Sequence, residues 1–169
     1  LYITNSSNVT INDSIGNGGI VNNNVYGYAI LNQGTLVVNG GNFVGDTALW
    51  NGYDNINSNV TLNGGHFSFN GDYEGYSIGN AGSLIINNGT LVEGWIDSFG
   101  SLIINGGDVE NIYVSIGRPS VATPATGING GNITGELYVE EDIADSIEIS
   151  GGMFASDVSN LLADGYHYH

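Results

Sequence analysis

The chain has 169 residues, 41% of them hydrophobic, with 28 glycines, two prolines and no cysteine. This length fits one domain, and the composition excludes a disulfide framework, a collagen-like repeat and a disordered chain. Seventeen acidic residues against a single Lys or Arg give a net charge of −16, which argues against nucleic acid and anionic membranes as partners because both would be repelled. No run of about 18 apolar residues is present, so we expect no insertion into a membrane.

From its first residues, Leu1, Tyr2 and Ile3, the chain leads directly into a repeated pattern. In each copy an apolar–x–apolar segment is followed by Asn or Ser, usually by two glycines, and then by another apolar residue. Because glycine and asparagine tolerate a positive φ, this pattern predicts short strands joined by tight corners. Steps of 18 to 27 residues separate the polar residues that close the segments, which are Asn12, Asn39, Asn63, Asn87, Asn105, Asn129 and Ser150.

Alternation along the strands predicts columns of inward-facing apolar residues. The first column contains Val9, Leu36, Val60, Leu84, Leu102 and Ile147. The second contains Ile11, Val38, Leu62, Ile86, Ile104, Ile128 and Ile149. The third, after the corner, contains Phe43, Phe67, Leu91, Val109, Ile133 and Phe154. A strand that precedes several copies supplies a fourth column, Ile30, Leu49, Ile78 and Ile96.

These columns predict an all-β fold, a single-stranded parallel β-helix (β-solenoid) of about seven coils over residues 1–155. Steps of mostly 21 to 27 residues favour a right-handed helix over the left-handed form with a strict 18-residue repeat. Stacked coils bury apolar residues that a single coil leaves exposed, since like residues lie over like at about 4.8 Å. The asparagines at the corners are expected to form a structural ladder, which comprises Asn12, Asn39, Asn63, Asn87, Asn105 and Asn129.

The two ends of the predicted stack differ. Residues 156–169 are predicted to form a C-terminal cap of the same domain, because Ser156 is a favourable N-cap and Gly165 suits a helix end. The resulting short helix would cover the last coil with Val158, Leu161 and Leu162. At the other end Leu1, Tyr2 and Ile3 have no such cap. We expect this open coil to contact another copy or the rest of a longer parent chain.

Two sequence segments resemble known surface proteins. Residues 29–43, AILNQGTLVVNGGNF, resemble the β-solenoid repeats of adhesin-like cell-surface proteins of bacteria and archaea. Residues 150–158, SGGMFASDV, are similar to a terminal motif of large surface proteins of anaerobic Gram-positive bacteria. The resemblance implies display at the cell surface and a structural or adhesive role, whereas its motifs specify architecture and no activity.

Acidic residues follow the third column by one to five positions. If they align, they form a row along one edge, where Ca²⁺ with its oxygen ligands would relieve their repulsion; a solvated row that keeps the protein soluble is the alternative. The protein therefore requires no cofactor, but calcium is a candidate ligand. The row comprises Asp46, Asp72, Glu93, Glu110, Glu136 and Asp157.

Aromatic residues concentrate between the repeats. A flat aromatic strip can stack on sugars, form a protein contact or pack across strands. The candidate partner surface comprises Trp50, Tyr53, Tyr73, Tyr76 and Trp95.

The sequence thus favours a non-enzymatic, extracellular structural or adhesive module that self-associates end to end or side by side. The alternative is a β-helix that binds or degrades glycans, such as a phage tailspike or a polysaccharide lyase-like domain. Arg118 is the only Arg or Lys that could serve a lyase as its base, and no catalytic residue is predicted. An ice-binding solenoid is a third option, but the column of Thr10 and Thr61 is interrupted by apolar residues.

Overall fold

Parallel β-strands of 2 to 11 residues make up most of the chain. A computed structural model describes residues 1–13, 18–24, 27–53, 56–71, 75–116 and 125–167. Within these residues the protein is all-β, as the sequence predicts, and two 3-10 turns, Glu141–Ser146 and Ser159–Leu161, lie near the C-terminus. The strands of these residues are β1 Tyr2–Ile3, β2 Asn8–Ile11, β3 Gly19–Val21, β4 Tyr28–Asn32, β5 Thr35–Gly45, β6 Thr47–Asn51, β7 Asn59–Phe69, β8 Tyr76–Asn80, β9 Ser83–Ile86, β10 Thr90–Ser98, β11 Ser101–Ile104, β12 Asp108–Val114, β13 Thr126–Ile133, β14 Leu137–Val139 and β15 Ile147–Phe154.

The strand pairs of the described residues are all parallel. Their hydrogen-bonded order is β1-β4-β6-β8-β10-β12-β13-β11-β9-β7-β5-β2, with β14 beside β12, β15 beside β13 and β3 beside β5. Strands adjacent in sequence, such as β4 and β5, therefore lie on different stretches of the sheet. Each pairs with a strand one repeat away, β4 with β6 and β5 with β7.

The strand register confirms most of the predicted columns. The second column is in register from Ile11 to Ile149 without a gap. The fourth is confirmed from Ile30 to Ile96. In the first column Thr126 lies between Leu102 and Ile147, a place that the sequence pattern left empty.

The third column differs from the prediction at one place, where the inward residue is Val92 and not Leu91. Val92 is in register with Phe67 and is 1% exposed, whereas Leu91 is 38% exposed. The corner before it carries Asn88 where other copies have the first glycine of a pair, and the inward residue follows Ile86 by six positions (92 − 86). Because the side-chain period of a strand is two, a slip of one residue turns Leu91 outward.

Tight corners and ring stacking hold the third column in place. The Phe43 and Phe67 rings are fully buried and stack with centroids 4.9 Å apart. Burying each such side chain contributes about 1.5–3 kcal/mol. The second glycine of each corner pair has a φ between +90° and +114°, which side-chain-bearing residues rarely adopt; these are Gly41, Gly65, Gly107, Gly131 and Gly152.

The asparagines of the predicted ladder are joined by side-chain hydrogen bonds. Each donates from Nδ2 to Oδ1 of the asparagine one repeat earlier, over 2.7–3.0 Å from Asn12 to Asn129. Ser150 Oγ extends the series by donating to Asn129 Oδ1 at 2.8 Å. Nearly all of these side chains are exposed at the corners, so the ladder lies at the surface.

A second ladder lies inside the protein, at the ends of β4, β6, β8 and β10. Asn32 Nδ2 donates to Asn51 Oδ1 and Asn51 Nδ2 donates to Asn80 Oδ1, both at 2.9 Å. Asn80 Nδ2 then donates to Ser98 Oγ at 3.0 Å. All four residues are fully buried, so these bonds satisfy amides that burial would otherwise leave unpaired.

The C-terminal segment corrects the predicted helix. Residues Ser159–Leu161 form a single 3-10 turn, after which Leu162 is extended and bridges in parallel to Ile149. Ser156 does not cap this turn; its Oγ accepts a hydrogen bond from the Leu137 N–H at 3.4 Å. Val158 and Leu161 are nevertheless buried in the same apolar core as the strands. The apolar spacing thus correctly predicts a segment that packs on the core, but the helical part is shorter than Ser156 and Gly165 predict.

Candidate functional site

One row of side chains crosses the outer face of five neighbouring strands. The row lies on the outer face because Ile96 and Ile112, which alternate with it, are buried in the core. In register order its members are Trp50, Gly79, Asp97, Tyr113 and Tyr138.

A groove of about 440 Å³ opens at one end of this row. Its volume lies in the range of small-ligand sites, and its wall combines four aromatic rings with one carboxylate. The lining residues are Gly75, Tyr76, Trp95, Tyr113, Glu136 and Tyr138. The register explains why they meet, since Trp95 pairs with Tyr76 and Tyr113 pairs with Tyr138. The rings of Tyr113 and Tyr138 are 5.2 Å apart.

Next to the groove, Trp50 is the centre of an aromatic cluster. Its ring centroid is 5.8 Å from that of Tyr28, 6.0 Å from Tyr53, and 6.2 Å from both Tyr76 and Phe99. The rings are tilted or edge-on, the arrangements that aromatic quadrupoles favour. Tyr76 belongs to both the cluster and the groove, so the aromatic surface is continuous from β6 to β14.

Gly79 allows the indole of Trp50 to lie flat across the row. A Cβ at Gly79 would stand 2.6 Å from Cε3 of Trp50, a distance that no side chain tolerates. A larger residue would therefore displace the indole. The absence of a side chain here leaves room for the Trp50 indole, and Asp97 is the next residue of the row.

Asp97 is a buried acid whose carboxyl group is not fully hydrogen-bonded within the described part of the chain. It is 8% exposed, and its Oδ1 has no hydrogen-bond partner among the described residues. Burial, with the charge of Glu140 as a second cause, raises the pKa of Asp97 from 3.8 to about 6. Its charge in turn contributes to the raised pKa of Tyr76, for which burial is the larger cause. Asp97 is thus electrostatically coupled to a residue that lines the groove.

Glu140 lies beyond Tyr138 on the same face and is held as a carboxylate. Its Oε2 accepts a hydrogen bond from the Ile116 N–H at 2.8 Å, and its Oε1 accepts one from the Tyr113 hydroxyl at 2.7 Å. These bonds, with the backbone bond as the larger cause, lower the pKa of Glu140. The same contact raises the pKa of Tyr113 to about 12. The Tyr113 ring is thereby fixed in position as a wall of the groove.

The structure brings most of the predicted partner surface together. Trp50, Tyr53 and Tyr76 meet in the aromatic cluster, and Trp95 lines the groove. Tyr73 lies outside the described residues. The aromatic residues between the repeats include Tyr113 and Tyr138, but sequence reasoning did not single out Asp97 or Glu140. The available signal was alternation, which places Trp95 and Asp97 on the same face of one strand.

The residues of the predicted acidic row lie in separate local environments. Glu93 Oε2 lies 2.9 Å from His66 Nε2, and Glu110 Oε2 accepts a hydrogen bond from the Gly94 N–H at 2.7 Å. Asp157 Oδ1 accepts one from the N–H of Ser159 at 2.9 Å, Glu136 lines the groove, and Asp46 is half-buried. Asp72 lies outside the described residues. No three His, Asp or Glu side chains in the described ranges are grouped so that they could hold a metal ion, and calcium stays a prediction.

Comparisons of the chain with models of protein families, with curated proteins and with solved structures found no match. Neither helical turn of the described residues has the length and apolar character that a membrane-crossing helix needs.

Proposed function

We propose that the chain is a non-enzymatic β-solenoid module, displayed outside the cell, with a structural and adhesive role. In this proposal the stacked coils supply a rigid support, and the aromatic outer face binds a glycan. The observation that carries the proposal is the groove in which Tyr76, Trp95, Tyr113 and Tyr138 surround about 440 Å³.

The strand pairing supports a solenoid of about seven coils, which we propose to be right-handed. Parallel pairs join equivalent residues one repeat apart, as in Leu36 with Val60 and Val60 with Leu84. A stack of this kind aligns one side chain of each coil along a line. Both asparagine ladders and the outer row of Trp50 to Tyr138 have this arrangement.

Glycan binding fits the chemistry of the groove. Sugar rings present apolar C–H faces that pack on aromatic side chains, and the hydroxyls around those faces need polar partners. Tyrosine and Glu136 supply both kinds of contact. The rings are held by strands and by the bond between Tyr113 and Glu140, so little ordering would be needed on binding.

A glycan-degrading role has weaker support. Hydrolysis of a glycosidic bond requires two carboxyl groups that face the substrate from opposite sides. Of the residues that line the groove, Glu136 alone has a carboxylate, and Asp97 is covered. Binding without cleavage is therefore the better proposal.

The N-terminal coil is proposed as a second contact, with another copy or with the rest of a longer parent chain. Leu1 and Tyr2 are about half exposed, while Ile3 is buried. In the described residues β1 pairs only with β4, so one edge of β1 is open to another strand. Negative-stain electron microscopy of the purified chain tests this contact. Filaments or paired particles are expected, and single short rods at all concentrations would contradict self-association.

Binding of fluorescently labelled bacterial polysaccharides tests the adhesive role. Wild type and Tyr166→Ala, which alters an exposed aromatic residue away from the groove, are expected to bind equally. Trp95→Ala is expected to lose binding while keeping its circular dichroism spectrum. Equal binding by Trp95→Ala, or no binding by wild type, would overturn the glycan proposal. New reducing ends in the polysaccharide would overturn the non-enzymatic one.

A further inference from the structure

The groove has an excess of negative charge that its aromatic walls do not explain. Glu136 lines it directly, and Asp97 lies next to Tyr113 in the outer row with an unpaired Oδ1. Glu140 adds a third carboxylate through its bond to Tyr113. The sequence has no lysine, and its single arginine, Arg118, lies outside the described residues. No Lys or Arg of the described ranges therefore balances these acids.

We propose that the groove binds a sugar that carries a free ammonium group, that is, a unit of an amino-sugar polymer. This inference rests on the proposed glycan-binding function and names its ligand class. Aromatic faces attract ammonium groups through the ring quadrupole, and four rings are available here. The carboxylates reinforce the same preference, because charge complementarity selects a cation over a neutral or anionic ligand.

Asp97 acts on the groove through its charge and not by contact, because it is 8% exposed and is not among the lining residues. A positive charge bound in the groove would lower the electrostatic cost of this buried carboxylate. An ammonium group supplies that charge, and Glu136 and the tyrosine hydroxyls can accept hydrogen bonds from its three N–H donors. A neutral acetamido group supplies one donor and no charge. An acidic sugar would add repulsion from Glu136, Asp97 and Glu140.

Two oligosaccharides that differ in this group alone provide the test. Tetramers of glucosamine and of N-acetylglucosamine share the same backbone and differ in the ammonium group. Binding is measured by titration calorimetry at pH 6.5, just above the pKa of about 6 of Asp97, where the carboxylate is mostly ionised. We expect the glucosamine tetramer to bind at least about tenfold more tightly, a factor that one strong ionic contact provides.

Variants separate the contributions to this preference. Asp97→Asn and Glu136→Gln are each expected to reduce the preference for glucosamine by several-fold, while Glu148→Gln, an exposed acid on β15, leaves it unchanged. Trp95→Ala is expected to weaken both tetramers. Thermal unfolding of each variant verifies that it is folded.

Each outcome supports or contradicts at least one of the two proposals. If the acetylated tetramer binds as well as glucosamine, and Trp95→Ala abolishes its binding, the glycan function stands and the ammonium inference is wrong. If neither tetramer binds but a neutral bacterial polysaccharide does, the inference fails in the same way. If no saccharide binds, both proposals fail. A preference that persists unchanged in Asp97→Asn and Glu136→Gln would also overturn the inference, because the charge would then play no part.

Discussion

Asp97→Asn is expected to stabilise the protein at neutral pH. Folding raises the pKa of Asp97 from 3.8 to about 6, so the folded state holds this proton more tightly than the unfolded state. The stability that Asp97 contributes is therefore greatest below pH 3.8 and is lost as the pH rises through 6. A shift of about two pKa units corresponds to about 3 kcal/mol, which is an upper limit because residual solvent around the carboxyl group screens part of it.

The magnitude follows from comparing the two proteins at each pH. At pH 7.5 wild type contains the buried carboxylate and the variant does not, so the variant is expected to be more stable by up to about 3 kcal/mol. For a chain of this size that corresponds to a rise in Tm of roughly 6–12 °C. Below pH 4 the aspartate is protonated in both states, and the difference is expected to approach zero.

Thermal unfolding followed by circular dichroism at pH 4, 5, 6 and 7.5 measures this difference. Glu148→Gln is the matched control, since it removes one exposed negative charge and reports the general relief of a net charge of −16. A stabilisation by Asp97→Asn that is constant with pH, or no larger than that of Glu148→Gln, would refute the reasoning. A loss of stability at pH 7.5 would show that the carboxylate has a stabilising partner.

Three further predictions concern the ladders, the row and the groove. Asn80→Ala should destabilise the protein by about 3 kcal/mol in denaturant unfolding, because its buried partners are left unpaired. Asn63→Ala, in the surface ladder, should cost about 1 kcal/mol. Equal losses of stability in the two variants would contradict the distinction between the buried and the surface ladder. Gly79→Ala should shift tryptophan emission and cost about 1–3 kcal/mol by displacing Trp50, whereas Gly127→Ala, with nothing within 4 Å, should do neither. Glu140→Gln should lower the pKa of Tyr113 from about 12 towards 10, seen as earlier tyrosinate absorbance that is missing in Tyr113→Phe.

The sequence predicts the core well because the core depends on local alternation. Each residue of the second column, from Ile11 to Ile149, follows another inward residue by two positions, and that residue is apolar in every copy except Thr126. The corner then returns the chain to the same register. The one wrong member, Leu91, follows a corner that is one residue longer than the other corners. A register set by a turn cannot be deduced from alternation alone, because either face of a strand fits the period of two.

The candidate site was harder to predict because its properties depend on interactions between residues of different repeats. Trp50, Tyr76 and Trp95 were identified as aromatic residues of equivalent segments, which a repeat pattern reveals. The raised pKa of Asp97 depends instead on burial and on Glu140, which is 43 residues away (140 − 97). No local motif marks a carboxylate as buried. The C-terminal turn was hard to predict for the same reason. The bridge of Leu162 to Ile149 depends on a strand outside the segment that carries the helix-capping residues.

The fold itself does not require an acid at position 97. Positions in register with it hold Leu31, Trp50, Gly79 and Tyr113, so the outer row accepts apolar, aromatic and small residues. The neighbouring Ser98 makes the contact that continues the buried ladder, and an uncharged residue at 97 would leave that contact in place. A carboxylate whose raised pKa opposes folding at neutral pH, at a place where other side chains fit, is explained in our proposal by a positive charge bound nearby. An ammonium group in the aromatic groove would supply that charge without contacting the covered Asp97, and the same charge would then link stability, pH and binding.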